Sequence, residues 1–477
     1  MSTFDSISPH PYSPRIDAGL LDAIRNGNCV AFVGAGFSAA ANFPQWQELI
    51  RRLTDKLPAE YSHEKTRELI RSLLHSQAAP SNRDLEMAAQ LLFDALTQEA
   101  FCRYLQQVFS EEKPPVAMQR RLRHLRGIPF RAIVTTNFDP LLPGTLPSAE
   151  AYRQLLRPRR RLSPWREAIT RVALGDEGLN GFSSDTDALI VQLHGQLEHS
   201  ESLVLTRSQY RHRLYGNPAY LTMLRSLLAS STVLFLGYSM TDAYLNELRS
   251  ELVEAFSDQG GTAEPMAWAI IEGVTEIAQS YYRQQEGLGV IPYRASADGT
   301  DHAQFDAILK AIYDQTNPVH RLGEQLKGRR ILWLDTHPDN NDLGRKLLQA
   351  ALKDCGDGTA DCDDQFVPTA EIETALTHLT QDGSFDLVIS HWGYGEYLGR
   401  PNGEELLRRM ARSRSDGTPL PPVVIFASGD HEAENRRLAL SLGAAEYVSR
   451  WEDLIELVSR LLAERFNADS SIDEMSF

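Results

Sequence analysis

The sequence is poor in cysteine, with Cys29, Cys102, Cys355 and Cys362 the only four in 477 residues. They are too few and too scattered for a disulfide framework, and none forms the CxxC pairs of a structural zinc site, so no metal and no zinc are expected. Long apolar runs are also missing. None reaches the roughly 18 residues that cross a bilayer, and the start MSTFDSISPHPYSPR has neither the basic nor the apolar region of a signal peptide. These absences predict a cytoplasmic protein with no membrane partner. Basic charge is short as well, at 48 Lys+Arg against 64 Asp+Glu, a net −16. The deficit is uneven: from Arg329 onward 15 basic residues face 27 acidic ones, a balance of −12, against 33 and 37, a balance of −4, before it. That asymmetry marks a domain boundary near Arg329 and argues against nucleic-acid binding by the C-terminal part, because phosphate contacts need basic surface.

What is present reads as folded protein. An apolar share of 42% with 23% charged residues is ordinary for globular domains, and the length allows two or three of them. The most informative stretch is Asn28 to Trp46, NCVAFVGAGFSAAANFPQW. Cys29 to Val33 is an apolar run expected to form a strand buried on both faces, with Cys29 a core residue. Gly34-Ala35-Gly36 follows at once, and two glycines so placed let the backbone turn tightly and bring amides to a phosphate. Phe37 continues the turn and Ser38 adds a hydroxyl. A strand followed by Gly-x-Gly also occurs for packing alone, so the surroundings must decide.

Ile16 to Arg25 has the spacing of a short amphipathic helix leading into this strand. Residues 47–125 hold several helical patterns broken by Pro58, Pro80 and Pro114, an insertion of helices into an α/β fold. Ala132-Ile133-Val134 then runs into Thr135-Thr136-Asn137-Phe138-Asp139. Open α/β sheets bind ligands at the carboxyl ends of their strands, which makes Asn137 and Asp139 candidates, although a turn and a helix cap would use the same residue types. Ala188 to Leu193 ends at His194-Gly195, and Thr232 to Leu236 ends at Gly237-Tyr238-Ser239. A lone histidine is commonly a packed or capping residue, yet four apolar strands here end alike in polar or glycine motifs. Ala267 to Glu272 and Gly289 to Tyr293 look like closing strands. The cluster Arg157, Arg159, Arg160 and Arg161 is either an exposed basic loop or a hold for nucleic acid or an acidic partner.

GAGFSAAANFP, TTNFD, LHG and FLGYS, in this order around a helical block, resemble the motifs of the sirtuin-like NAD-binding family, and more closely its bacterial defence-associated branch than the protein deacylases. The likeness covers about Ile16 to Arg321. It implies a Rossmann-like parallel sheet in a domain spanning 1–322 that takes NAD+ as substrate; that this domain forms a homo-oligomer is a separate expectation, resting on its contrast with an acidic C-terminal half that keeps its surfaces without phosphotransfer residues. Two features of the deacylases are absent: Asn42-Phe43-Pro44-Gln45-Trp46 stands where they carry an aspartate-phenylalanine-arginine signature, and there is no four-cysteine zinc ribbon. Water is then the expected acceptor, giving nicotinamide and ADP-ribose; transfer of an ADP-ribosyl or acyl group, or sensing of NAD or ADP-ribose without catalysis, are the alternatives. With NAD+ over the glycine turn, amides around Gly34 to Phe37 would meet the pyrophosphate. Ser38 and Gly237-Tyr238-Ser239 would hold ribose or phosphate oxygens. Asn137 would orient the ribose or the attacking water, His194 would act as general base, and Asp139 would position Asn137, steady the cation, or serve structure alone. The defence-associated branch implies abortive antiviral immunity, one part of it pairing with a hexameric HerA-type ATPase.

Residues 329–466 alternate strands (331–334, 386–390, 423–427, 446–448) with helical patterns, which implies a second small parallel sheet. FDLVIS, PPVVIFASG and LGAAEYVSR resemble the receiver domain of response regulators, a flavodoxin-like fold. Asp335 and Ser428 fit that pattern. His391 stands where a receiver has its phosphate-accepting aspartate, and Arg450 where it has lysine, so the expectation is a docking domain without phosphotransfer. Residues 467–477 read as a polar tail.

Overall fold

The computed structural model describes residues 14–474 except 42, 60, 76–79, 111–115, 157–188, 217, 239–264, 297–301, 336–341, 356–364, 382–384, 394–400, 415–419 and 428–431. The described chain divides into two units, one closing at Thr316 and the other beginning at Asn317. The boundary lies ahead of the polar stretch 322–330 where the sequence suggests it. Asn317 explains why: its side-chain oxygen accepts the His320 amide at 2.7 Å and Pro318 opens a helix, Pro318–Leu326, that packs in the second unit.

The first unit is built on six parallel strands, β1 (Cys29–Val33), β2 (Ala132–Thr135), β3 (Leu189–Gln192), β4 (Thr232–Leu236), β5 (Ala267–Glu272) and β6 (Leu288–Tyr293), in the order β3-β2-β1-β4-β5-β6. This is the Rossmann order. The direction of winding reverses between β1 and β4, and the crevice at that reversal is where such sheets take their ligands. All five residues of β1 are buried, and they alternate between two cores. Ala31 and Val33 face one side with Ile133, Leu234 and Leu236, whereas Val30 and Phe32 face the other with Val134, Val233 and Phe235. The helix before β1 begins at Ala18 rather than Ile16, because Asp17 caps it by accepting the Gly19 amide at 2.8 Å.

The inserted helices run Trp46–Asp55, Tyr61–Leu74, Asn82–Ala95, Gln98–Ser110 and Val116–Gly127. Their apolar faces, including Leu49, Leu53, Leu92, Phe101 and Leu125, join the same core as Ala31 and Val33. They are thus a packed layer of the domain.

The second unit has five parallel strands, β7 (Ile331–Leu334), β8 (Phe366–Thr369), β9 (Leu387–Ser390), β10 (Val423–Phe426) and β11 (Glu446–Val448), in the order β11-β10-β9-β7-β8. Counted within the unit this is 2-1-3-4-5, the flavodoxin-like order, with a core on each face of the sheet. β8 is a strand beyond those expected from sequence. Its Pro368 argues against a strand, but at the edge of a sheet a proline leaves no inner ladder bond unmade. The last helix runs from Trp451 to Glu474, into the stretch read as a polar tail, and 475–477 lie outside the described residues.

Candidate functional site

The glycines come together at the reversal between β1 and β4. The Gly34 amide donates to Leu236 O at 3.0 Å, Gly36 to Gly237 O at 2.9 Å, and Phe37 to Gly34 O at 3.0 Å. Gly237 has φ +60°, and a Cβ added there would lie 2.0 Å from the Phe37 nitrogen. Added to Gly34 or Gly36, it would meet Gly237 O at 2.7 or 2.8 Å. These glycines therefore let two backbone turns close on each other, the packing role that the motif alone could not exclude. The expectation that the amides from Gly34 to Phe37 face a phosphate is corrected for Gly34, Gly36 and Phe37, whose amides are engaged within the protein. Ala35 and Gly36 are nonetheless exposed at the strand ends, above buried Gly34, Phe37 and Ser38. The Tyr238 ring packs on Phe32 and Phe235, with centroids 5.3 and 5.5 Å away.

Beneath that turn lies a chain of buried polar groups. Thr135 Oγ1 donates to Val33 O at 3.0 Å and accepts the Asn137 amide at 3.0 Å, which fixes the end of β2 against the end of β1. Asn137 Nδ2 then donates to Gly34 O and to Ser38 Oγ, each at 3.1 Å. Ser38 also hydrogen-bonds the Asp139 carboxylate, whose Oδ1 accepts the Leu141 amide at 3.1 Å. Asn137 is 6% exposed and its Oδ1 has no hydrogen-bond partner. A buried amide oxygen with both hydrogens of its own nitrogen engaged is an acceptor held ready at the sheet edge. Burial raises the pKa of Asp139, against the lowering effect of its bonds from Ser38, Leu141 and Asn137.

His194 follows β3 and is brought to the same edge. The Leu193 amide extends the ladder to Thr135 O at 2.8 Å, and His194 O accepts the Val204 amide at 2.9 Å. The half-buried imidazole lies 6.1 Å from the Phe138 ring and 6.0 Å, edge to face, from Tyr210. Phe138 stands between Asn137 and Asp139 in the chain, so the short segment that follows β2 borders both the polar network and the histidine. Ser239 and the Arg157–Arg161 cluster lie outside the described residues.

Two participants escaped the sequence reading. Thr135 looked like the last strand residue, and nothing in its spacing announces a side chain that bridges β1 to Asn137. Arg121 sits in the run RRLRHLR, which reads as solvated charge, yet it is 2% exposed. Its Nη1 donates to Phe37 O at 2.7 Å, and the guanidinium lies 4.9 Å from the Phe305 ring centroid. Elsewhere in this unit a cavity of about 520 Å³ is lined by Ser208, Gln209, His212 and Arg213 among others, but by none of Ser38, Asn137, Asp139 or His194.

In the second unit, Asp335 is buried at the end of β7. His391 follows β9, its amide donating to Leu334 O at 2.9 Å. Arg450 follows β11 and pairs with Glu452 and Asp453 at 3.6 and 4.0 Å. Ser428 lies outside the described residues. No described helix is long and apolar enough to cross a membrane.

Comparison with known proteins bears on the first unit. Residues 131–291 match the family model of the SIR2-like domain. The chain is similar to the NAD(+) hydrolase ThsA of Cytobacillus dafuensis, 26% identical over 232 residues, which are 49% of this chain and 39% of that protein. The ThsA of Enterococcus faecium is 24% identical over 234 residues, 48% of this chain and 41% of that protein. The Defense-associated sirtuin 2 of Bacillus subtilis is 21% identical over 301 residues, 62% of this chain and 26% of that protein. The chain thus spans about two fifths of these relatives' length or less. The strand ends that carry Asn137, His194 and Gly237 fall within the SIR2-like match.

Proposed function

We propose that the chain is an NAD+ hydrolase, cleaving the bond between nicotinamide and ribose to release nicotinamide, ADP-ribose and a proton. The observation that carries this reading is Asn137, buried at the carboxyl end of β2, with Nδ2 bound to Gly34 O and Ser38 Oγ and Oδ1 left to accept. The relatives' names, NAD(+) hydrolase and Defense-associated sirtuin, point the same way.

Cleavage of this glycosidic bond builds positive charge on the ribose and needs an oriented nucleophile. Asn137 Oδ1 supplies a neutral acceptor for the attacking water or a ribose hydroxyl. His194, at the adjacent strand end, accepts the proton as water adds to the anomeric carbon and the bonding pair leaves with nicotinamide. Asp139 acts through Ser38 and is a positioning residue. The exposed turn at Ala35 and Gly36 leaves room for the diphosphate over the reversal between β1 and β4.

A hydrolase of this kind needs restraint in a cell, and the second unit is suited to supply it. Its strand order, with His391 and Arg450 at the positions noted above, supports a receiver-like domain used for docking rather than phosphotransfer. Ile277 and Tyr281, exposed at 85% and 57% on the helix Glu276–Glu286, support self-association of the first unit. In this reading the protein is a regulated homo-oligomer in antiviral defence, with a HerA-type ATPase as candidate partner.

The deciding experiment incubates the purified chain, alone and with that partner, with NAD+ and quantifies both products. Equal release of nicotinamide and ADP-ribose is expected, and binding of NAD+ with no release under either condition would mark a sensor instead.

A further inference from the structure

We infer that the second unit holds a site for a divalent transition-metal ion, zinc before others, formed by His320, Glu324 and Cys355. The three candidate ligand atoms lie within 4.8 Å of one another. His320 and Glu324 stand one helical turn apart on Pro318–Leu326, so their side chains share a face. Cys355 closes the helix Asp342–Cys355, which crosses the first helix closely. Gly323 makes that approach possible: a Cβ there would lie 2.1 Å from Ala351 O and 2.5 Å from Cys355 Sγ. The cysteine is thereby delivered between the histidine and the glutamate.

The geometry suits a metal. Cys355 Sγ is 3.5 Å from His320 Nδ1. Zinc bonds of about 2.3 Å to sulfur and 2.0–2.1 Å to nitrogen, opened to the tetrahedral angle, place those two ligands about 3.5 Å apart. His320 is buried and its backbone is fixed before any ion arrives, its amide donating to Asn317 Oδ1. Glu324 is exposed; Lys327 holds its Oε1 at 2.6 Å and its carboxylate also hydrogen-bonds Cys355, which keeps it within reach of an ion bound by the thiol. The thiol donates to His320 O at 2.8 Å. On binding, its S–H bond breaks, the electron pair goes to the metal and the proton leaves to solvent. Three protein ligands of mixed sulfur, nitrogen and oxygen type leave a fourth position, on the Glu324 side, for water or a further ligand. No pair of cysteines announces this site in the sequence, because its members sit on two helices. An ion there would tie the first helix of the unit to the end of the next one and stabilise the folded unit by mass action.

The test titrates cobalt(II) into the full chain after removal of metal by chelation, and then adds zinc. One cobalt per chain is expected, with thiolate-to-cobalt charge-transfer absorption that zinc abolishes. Cys355→Ser should lose the absorption, and Glu324→Gln, at an exposed position that does not threaten folding, should weaken binding at least about tenfold. Zinc should also slow alkylation of Cys355, read by mass spectrometry, which keeps the test valid if Cys355→Ser fails to fold. The inference is overturned by absence of the absorption, by its survival in a folded Cys355→Ser chain, by an affinity that Glu324→Gln leaves unchanged, or by alkylation of Cys355 that zinc does not slow.

Discussion

Arg121 grips Asp306 through two hydrogen bonds, Nε to Oδ1 at 2.6 Å and Nη2 to Oδ2 at 3.0 Å, while its Nη1 holds the carbonyl of Phe37 at 2.7 Å. The pair joins the last inserted helix to the helix Ala303–Thr316 and steadies the glycine turn from below. Removing the anion leaves a cation that is 2% exposed. Asp306→Ala should therefore destabilise the first unit by about 3 kcal/mol, the lower part of the range for a broken buried pair, because Asp306 itself is 38% exposed. Arg121→Lys should recover little, since one ammonium cannot serve both the fork and the carbonyl. Urea denaturation of the three chains checks this; a loss under 1 kcal/mol in Asp306→Ala would refute the pair's role.

Gly237 and Gly36 give the second prediction. Gly237→Ala puts a Cβ 2.0 Å from the Phe37 nitrogen at φ +60°, so strain and collision act together. A loss of about 3 kcal/mol or more is expected, with reduced soluble yield. Gly27→Ala is the control, for its φ of +64° carries the same strain with nothing within 4 Å of the added carbon. Thermal melts showing equal losses in both would deny that the two turns need their close approach.

Asn137→Ala and His194→Ala should each lower NAD+ cleavage about a hundredfold. Asn137→Ala also removes the donor to Ser38 Oγ and one of the two donors to Gly34 O, at a cost of about 1–2 kcal/mol, so its melting temperature should drop while the chain remains folded. Product quantification on material checked by circular dichroism separates the effects. Full activity in either variant would remove that residue from the mechanism.

The second unit should not take phosphate from acetyl phosphate in the presence of magnesium. Asp335 is buried, His391 follows β9, and Arg450 is engaged with Glu452 and Asp453. Incorporation of phosphate that Asp335→Asn abolishes would contradict this.

The parallel sheets and their strand ends were legible because each central strand is an apolar run that stops abruptly at a polar or glycine residue. That pattern placed Asn137, His194 and Gly237 at one sheet edge from sequence alone. The use of the glycines was not legible. Gly34-Ala35-Gly36 looks the same whether its amides meet a phosphate or a second turn of backbone, and only the pairing of Gly36 with Gly237 O separates the two. Arg121 was hidden for a different reason, since burial of one arginine in a basic run is decided by an aspartate far along the chain. β8 was hidden by a proline that an edge strand tolerates.

At Asp139 stability and the proposed function can be tested with one variant. Burial raises its pKa in the folded chain, so the folded state holds the proton to higher pH than the unfolded one. Below the ordinary carboxyl pKa of about 3.9 both states are protonated and the residue contributes no pH dependence. As pH rises past that value the unfolded chain ionises first, and folding loses stability until the pH exceeds the raised value. Asp139→Asn keeps an oxygen for Ser38 and for the Leu141 amide but has no proton to lose, so its stability relative to the parent should grow as pH rises from about 4. Thermal melts of both chains between pH 4 and pH 8 test the sign; a difference that shrinks with pH would show that the carboxylate is stabilised where it sits. The same variant separates positioning from charge. A residue that acts by accepting from Ser38 tolerates the amide, so NAD+ cleavage at neutral pH should stay within about tenfold of the parent, whereas a carboxylate that steadied the ribosyl cation would cost a hundredfold or more on neutralisation.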